Sequence, residues 1–321
     1  MAKCRVCDRE AWVKIPWANT WFCREHFIEY FERKVWRTFS KYVSRNHEKI
    51  LFTVSGGKDS LALLYSLAPR LVREGYSVSV LFIDLGIRGY SEHARGIVKE
   101  HVESLGLELI VFDLKKEYGF TIDDLAFAVY NHLFNRPVCS LCGVIKRYIY
   151  NLVAYKRDYD LIVTGHNLND TYGFIMSALT TGQVSELIKF KPYISGGEGF
   201  IAKAKPLFFN YEYENRLYTI AKDVKVILHP CPHAPREEHG LVSSYKKQLR
   251  ILEKNHPGIG LMFVKNILRN VIEPLSKVVQ EKRERKLVKC SICGMPASTD
   301  PCSFCRIKIK IDKIKTKSYT S

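Results

Sequence analysis

Lys49-Ile50-Leu51-Phe52-Thr53-Val54 runs into Ser55-Gly56-Gly57-Lys58-Asp59-Ser60 and on into Leu61-Ala62-Leu63-Leu64-Tyr65. The first run is short and apolar, the pattern of a buried strand, and the last reads as the opening of a helix. Two glycines at the junction let the backbone come close to an anion. The amides of the turn and the positive end of the helix then face that anion. Lys58 adds a full positive charge, and Ser55 and Ser60 add hydroxyl donors. A Walker A loop places four residues between its glycine and its Gly-Lys pair. This stretch does not, so it is a phosphate loop of another kind.

Outward from the loop, strand-like and helix-like runs alternate. The predicted strands are Ile50–Val54, Val78–Ile83, Leu107–Phe112, Leu161–Thr164 and Val224–Leu228. The predicted helices include Asp59–Glu74 (with Pro69 as an expected kink), Ser91–Leu105, Ile122–Leu133, Gly143–Lys156 and Asp170–Thr180. Such βα alternation implies an α/β fold with a doubly wound parallel sheet. Ligands in such sheets bind at the carboxyl ends of the strands. Asp84-Leu85-Gly86-Ile87, Gly165-His166-Asn167 and His229-Pro230-Cys231-Pro232 are expected there, with Cys139 and Cys142 on a loop returning to the sheet.

The ten cysteines sort into three sets. Cys4-x-x-Cys7 with Cys23-x-x-His26, and Cys290-x-x-Cys293 with Cys302-x-x-Cys305, each offer four ligands as two close pairs. A tetrahedral zinc ion needs that arrangement; iron is the other candidate. Cys139, Cys142 and Cys231 remain. Three thiolates do not close a tetrahedral zinc site. They suit a 4Fe–4S cluster with one iron lacking a protein ligand, or a redox pair plus a nucleophile, or they are separate core cysteines.

The organisation expected is an N-terminal zinc ribbon over residues 1–27, a linking helix over 28–48 and a phosphate-binding α/β domain over 49–241. A helical segment over 242–285 and a second ribbon with a basic tail over 286–321 follow. In that tail Arg306-Ile307-Lys308-Ile309-Lys310-Ile311 alternates basic and apolar residues, which suits an edge strand, a nucleic-acid contact or a mobile tail. The 321 residues carry 50 Lys and Arg against 33 Asp and Glu, a net charge of +17. That surplus points to a polyanionic partner. No run has the length of a membrane span, and the start lacks the apolar core of a signal peptide. A cytoplasmic protein is expected, whose cysteines are metal ligands or catalytic thiols rather than disulfides.

Taken together, these residues resemble the PP-loop ATP pyrophosphatases, and within them the tRNA 2-thiouridine synthetases of archaea and thermophilic bacteria. The resemblance rests on both ribbons, Ser55–Ser60, the turn at Asp84, Cys139-Ser140-Leu141-Cys142 through Arg147, and Gly165-His166-Asn167. Lys205-Pro206-Leu207, Cys231-Pro232 and His256-Pro257-Gly258 extend it over nearly the whole chain. It implies ATP-dependent replacement of a tRNA uridine C2 oxygen by sulfur. The Ser55–Ser60 loop, Asp84, Gly165 and His166 would bind ATP with Mg²⁺, and Asp59 would organise the metal and loop or cap the following helix. Lys146 would stabilise phosphate or the developing oxyanion, and Asp170 would move a proton or bind metal; each could instead belong to a structural ion pair.

The resemblance further implies that Cys139, Cys142 and Cys231 hold a 4Fe–4S cluster whose open iron takes up sulfide. A persulfide on Cys231, resolved by Cys139 or Cys142, is the alternative. Free sulfide or the thiocarboxylate of a ubiquitin-like carrier would be the sulfur source, tRNA the partner and a homodimer the assembly. The family pattern Gly-His-Asn-x-Asp-Asp-Glu-Ala is altered here to Asn169, Asp170, Thr171 and Tyr172, which lowers the local negative charge. The rival readings are a PP-loop ligase of the lysidine-synthetase type, which needs no site cysteines, and a catalytically dead zinc-ribbon tRNA binder.

Overall fold

The computed structural model describes residues 2–197, 199–234, 240–281 and 287–318. The N-terminal module is a hairpin, β1 (Val13–Ile15) and β2 (Thr20–Phe22), followed by helix α1 (Arg24–Tyr42). The central domain continues as β3 (Lys49–Thr53), α2 (Lys58–Arg73), β4 (Ser77–Asp84), α3 (Ser91–Ser104) and β5 (Glu108–Asp113). Next come α4 (Leu114–Tyr118), α5 (Ile122–Tyr130), α6 (Val138–Lys156), β6 (Leu161–Val163) and α7 (Leu168–Thr180). Then follow β7 (Tyr193–Ile194), β8 (Ala202–Ala204), α8 (Glu212–Ala221), α9 (Leu241–Asn255), α10 (Ile259–Ile267) and α11 (Glu273–Glu281). The second module holds β9 (Val288–Lys289), β10 (Pro296–Ala297) and α12 (Ser303–Ser318).

The six-stranded sheet has the order β5-β4-β3-β6-β8-β7. Every pairing is parallel except the edge pair β7–β8. Successive strand residues face opposite sides, and both sides are buried. Ile50, Phe52, Val80 and Phe82 pack with α1, α2, α3 and α8, whereas Leu51, Leu81, Ile110 and Ile162 pack with α5 and α6. The N-terminal module joins the first face through Ile15, Phe22 and Phe27. The C-terminal module joins the second, where the Phe304 ring stacks on Tyr148 at 3.9 Å.

Several sequence expectations are corrected. Val224–Leu228 is not a strand: Val224 N–H caps α8 on Thr219 O, and Ile227 N–H goes to Gly56 O in the phosphate loop. The place beside β6 is taken by Ala202–Ala204, too short and too lysine-interrupted to stand out in the sequence. Cys139 and Cys142 sit in the first turns of α6, which starts directly after Pro137, not in a loop. Helix α2, by contrast, forms at the expected Asp59–Glu74 stretch with Pro69 inside it. The basic tail is helical: Ile307 and Ile311, one turn apart, are buried, and Lys308 pairs with Asp312 at 2.6 Å. The expected 285/286 boundary and the tail's last residues, Tyr319–Ser321, lie outside the described residues.

Candidate active site

The phosphate loop folds as its glycines dictate. Gly56 has φ +80°, and a Cβ there would stand 2.8 Å from Ile227 Cδ1. Ser60 Oγ ties the turn together, donating to Gly57 O at 2.9 Å and accepting from Ser55 N–H at 3.2 Å. Gly165 has a different reason. A Cβ on it would meet Ser60 N and Cα at 3.2 Å, so only glycine lets the loop after β6 lie against the start of α2.

That approach places Asn167 beside Asp59. Asp59 Oδ1 accepts from Asn167 Nδ2 at 3.1 Å and from Asn215 Nδ2 at 2.8 Å, and Lys58 Nζ lies 3.1 Å from Oδ2. Asp59 does not cap α2, whose N-cap is Gly57 without a side-chain bond. Burial pushes its carboxyl pKa up, although Lys58 and Asn215 oppose the shift. From Lys58 the charges continue: Lys58 to Glu212 at 2.7 Å, Glu212 to Lys246 at 3.6 Å, and Lys246 to Asp170 at 2.8 Å. Burial works against the ionised Glu212, but Lys246 and Lys58 outweigh it and hold the carboxyl below its usual range. Asn167 also caps α7, accepting from Asp170 N–H at 3.0 Å.

A cavity of about 550 Å³ opens over the strand ends, within the usual range for small-molecule sites of roughly 300–1,000 Å³. Ser55, Asp59, Ser60, Gly165, His166 and Asp170 line it on one side, and Cys139, Cys142, Lys146 and Cys231 line it as well. Ten of the expected residues, far apart in the chain, therefore share one space. Three others do not line it: Gly56 and Gly57 shape the turn, and Lys58 points to Asp59 and Glu212. Asp84 does not line it either; its Oδ1 accepts from Gly86 N–H at 2.9 Å and shapes the turn after β4.

Burial, then the Lys205 ammonium, lowers the His166 pKa to about 4, so this ring is neutral near pH 7. Its Nδ1 is 2.9 Å from Thr164 Oγ1. Lys146 makes no ion pair among the described residues, whereas Asp170 does. Burial raises the Cys139 and Cys142 thiols, with Lys146 opposing in both cases. The loop carrying Cys231 is tethered by His233, whose Nε2 is 2.6 Å from Asp123 Oδ1 and whose carbonyl accepts from Cys139 Sγ at 3.2 Å.

The metal-binding capacities differ in kind. In the N-terminal module Cys4, Cys7, Cys23 and His26 gather their ligand atoms within 4.8 Å of one another, as do Cys290, Cys293, Cys302 and Cys305 in the C-terminal module. Cys7 and Cys23 sulfurs are 3.8 Å apart, Cys293 and Cys302 3.9 Å, and His26 Nδ1 is 3.2–3.4 Å from three sulfurs. A tetrahedral ion with Zn–S of about 2.3 Å separates its sulfurs by about 3.8 Å. Burial resists ionisation of Cys4 and Cys290, yet amide N–H groups in each turn bring both thiols down to about 6. Among the described residues the three cavity cysteines form no such point-like set. They stand around a shared space, which fits a polynuclear centre better than a single ion.

Sequence reasoning missed Asn215, Glu212 and Lys246. Asn215 lies 156 residues from Asp59, and no local spacing signals such a partner. Asn167 was visible within its motif, but its role as a bridge from α7 to Asp59 was not.

The phosphate loop at the carboxyl end of the interior strand β3, with three cysteines lining the same cavity, defines a PP-loop protein equipped for thiol or cluster chemistry. Residues 28–140 match the PP-loop domain family, and residues 3–28 match the family described as 2-thiouridine synthetase TtuA, N-terminal LIM domain. The chain is 37% identical to the tRNA-5-methyluridine(54) 2-sulfurtransferase of Pyrococcus horikoshii, covering 95% of this chain and 93% of that one. It is 36% identical to the protein of the same name from Thermotoga maritima, over 98% and 99% of the two chains. Among solved structures it is similar to the U34-tRNA thiolase NcsA from Methanococcus maripaludis with its [4Fe-4S] cluster, with a TM-score of 0.77 and 27% identity over 96% and 95% of the chains. The chain belongs to the tRNA 2-sulfurtransferase family. Among the described residues no helix is long and apolar enough to cross a membrane.

Proposed function

We propose that this protein is an ATP-dependent tRNA-uridine 2-sulfurtransferase. One observation carries the reading: the phosphate loop and Cys139, Cys142 and Cys231 line the same cavity. The uridine C2 oxygen attacks the α-phosphorus of ATP and pyrophosphate departs. Sulfide then adds at C2, and AMP leaves with the former C2 oxygen. The Ser55–Ser60 amides and hydroxyls hold phosphate, with Mg²⁺ offsetting its charge. Lys146, free of ion pairs among the described residues, faces the charge that develops on phosphate or on the oxygen at C2. Asp170, held by Lys246, takes the proton or a metal ligand position.

Cys139, Cys142 and Cys231 would hold a 4Fe–4S cluster, which when bound supplies an iron without a protein ligand as a Lewis acid for sulfide. The two four-ligand sets hold zinc, which fixes the short terminal modules. The sulfur comes from free sulfide or from a ubiquitin-like thiocarboxylate carrier, and the protein works in the cytoplasm as a homodimer. The greater identity to relatives named for position 54 supports that uridine as the target.

The test is anaerobic purification, iron and acid-labile sulfide analysis, and thiolation of unmodified tRNA followed by nucleoside mass spectrometry. A 2-thiolated product at position 54 is expected. The Cys231→Ala variant should lose iron and thiolation yet still bind ATP. Iron-free anaerobic protein, or wild-type thiolation by Cys231→Ala, rules the cluster reading out.

A further inference from the structure

Helix α5 presents two opposed faces. Ile122, Leu125 and Ala126 are buried in the core shared with the sheet and α6, and Ala128 is buried as well. Phe127 and Tyr130 point outward, 61% and 67% exposed. Asp123, Phe127 and Tyr130 stand at i, i+4 and i+7, one stripe along the helix. The stripe starts beside the cavity, because Asp123 holds His233 on the loop whose Cys231 and Ala234 line it. It then runs outward over the surface towards Leu133, itself 41% exposed.

The flanks of this stripe are basic. The exposed Arg88 donates its backbone N–H to the Asp123 carboxylate at 2.9 Å, and the exposed Arg136 bonds Ser140 Oγ at 2.7 Å beside Cys139. From α12, Lys310 Nζ reaches Leu133 O at 3.4 Å and lies 5.2 Å from the centroid of the Phe134 ring. Exposed aromatic faces between cations suit unpaired bases on a phosphate chain, since every base offers a face to stack and every phosphate a charge to pair.

We propose that the Phe127–Tyr130 stripe is a stacking platform for the bases flanking the target uridine of tRNA. This inference rests on the function proposed above. An enzyme that does chemistry on a base takes it out of its stack. When the uridine enters the cavity its neighbours lose a stacking partner beside the cavity, where the stripe begins. The basic flanks and the net charge of +17 favour RNA over a second copy of the same basic chain.

The test uses the full-length, metal-loaded chain with Phe127→Ala and Tyr130→Ala combined, and an unmodified tRNA transcript as probe. Stacking losses by alanine substitution correspond to roughly 5- to 150-fold in affinity per base, so tRNA binding should weaken about tenfold or more. The salt dependence should stay unchanged, because an aromatic ring releases no counterions. ATP affinity should also be unchanged, which reports an intact fold. The aromatic exchange Phe127→Tyr with Tyr130→Phe should bind tRNA like the wild type. Full tRNA affinity in the alanine variant overturns the platform. So does a fall in oligomeric mass at unchanged tRNA affinity, which makes the stripe a contact between copies. A wild-type protein with no affinity for tRNA overturns the functional reading, and the platform with it.

Discussion

Gly165→Ala is the most direct probe of how the site is assembled. The added methyl would stand 3.2 Å from Ser60 N and Cα and 3.3 Å from Asp59 C, all of them backbone atoms at the start of α2. None is the free end of a side chain, so none can swing aside. Either the loop after β6 retreats or the first turn of α2 yields. Overpacking of this kind costs typically about 1–3 kcal/mol. Retreat also lengthens the 3.1 Å bond from Asn167 to Asp59, which is charge-assisted. If ATP binds only the undisplaced loop, that cost appears in its affinity as roughly 5- to 150-fold weakening. The assay pairs thermal unfolding with titration of ATP into the metal-loaded protein. A lowered midpoint together with weaker ATP binding is expected, with the metal content of the two terminal modules unchanged. Wild-type values for both midpoint and ATP affinity would refute the claim that close backbone approach at Gly165 sets the phosphate loop.

Gly96 is the contrasting case: it lies inside α3 with nothing within 4 Å of a Cβ, so Gly96→Ala should raise stability by about 0.5–1 kcal/mol, measured as the shift in unfolding midpoint. Glu212→Gln removes the carboxylate between Lys58 and Lys246; ATP turnover should fall while the iron content stays that of the wild type, measured as AMP release beside metal analysis. Replacing Cys290 and Cys293 with Ser should lower zinc by about one ion per chain and weaken folding; unchanged zinc content would rule that site out. Burial, then Lys203, brings Lys205 down to about 8. The native state therefore binds fewer protons than the unfolded state between pH about 8 and the unfolded lysine value near about 10.4, so stability should rise with pH through that window. Lys205→Met should flatten this rise in a pH series of unfolding midpoints.

The parts of the molecule readable in sequence share a physical property: their signal is local. Ser55–Ser60 declares itself because a strand, two glycines and a helix start are adjacent, and the two ribbons because paired ligands on one turn share a spacing. The unread parts depend on chain returning from afar. Val224–Leu228 has the apolar look of a strand, but β8 already pairs with β6, and the segment instead packs on Gly56. The Arg306–Ile311 alternation suits a strand and a helix alike; burial of Ile307 and Ile311 on the α6 face decides for the helix. Cys139 and Cys142 precede the predicted helix Gly143–Lys156 and so are expected on a loop, yet α6 already begins at Val138 with Pro137 as its N-cap.

The same distinction explains the departure at Asn169 and Thr171. Along the chain, two acidic positions of the family pattern are neutral here, which reads as a loss of charge at the site. In the fold both residues are buried, and both serve the backbone: Asn169 Oδ1 accepts from Glu212 N–H at 2.8 Å, and Thr171 Oγ1 donates to Asn167 O at 3.0 Å. A buried carboxylate in place of Asn169 would keep that N–H bond but be penalised by desolvation, next to a helix end that already carries Glu212. Glu212 stands between Lys58 and Lys246 with its carboxyl held below the usual range. The negative charge of this region is therefore supplied from α8 as well as by Asp59 and Asp170. On this argument Glu212→Gln is the more damaging change, and Asn169→Asp, which restores the family residue without a cation in hydrogen-bond contact, should leave ATP turnover near the wild-type level.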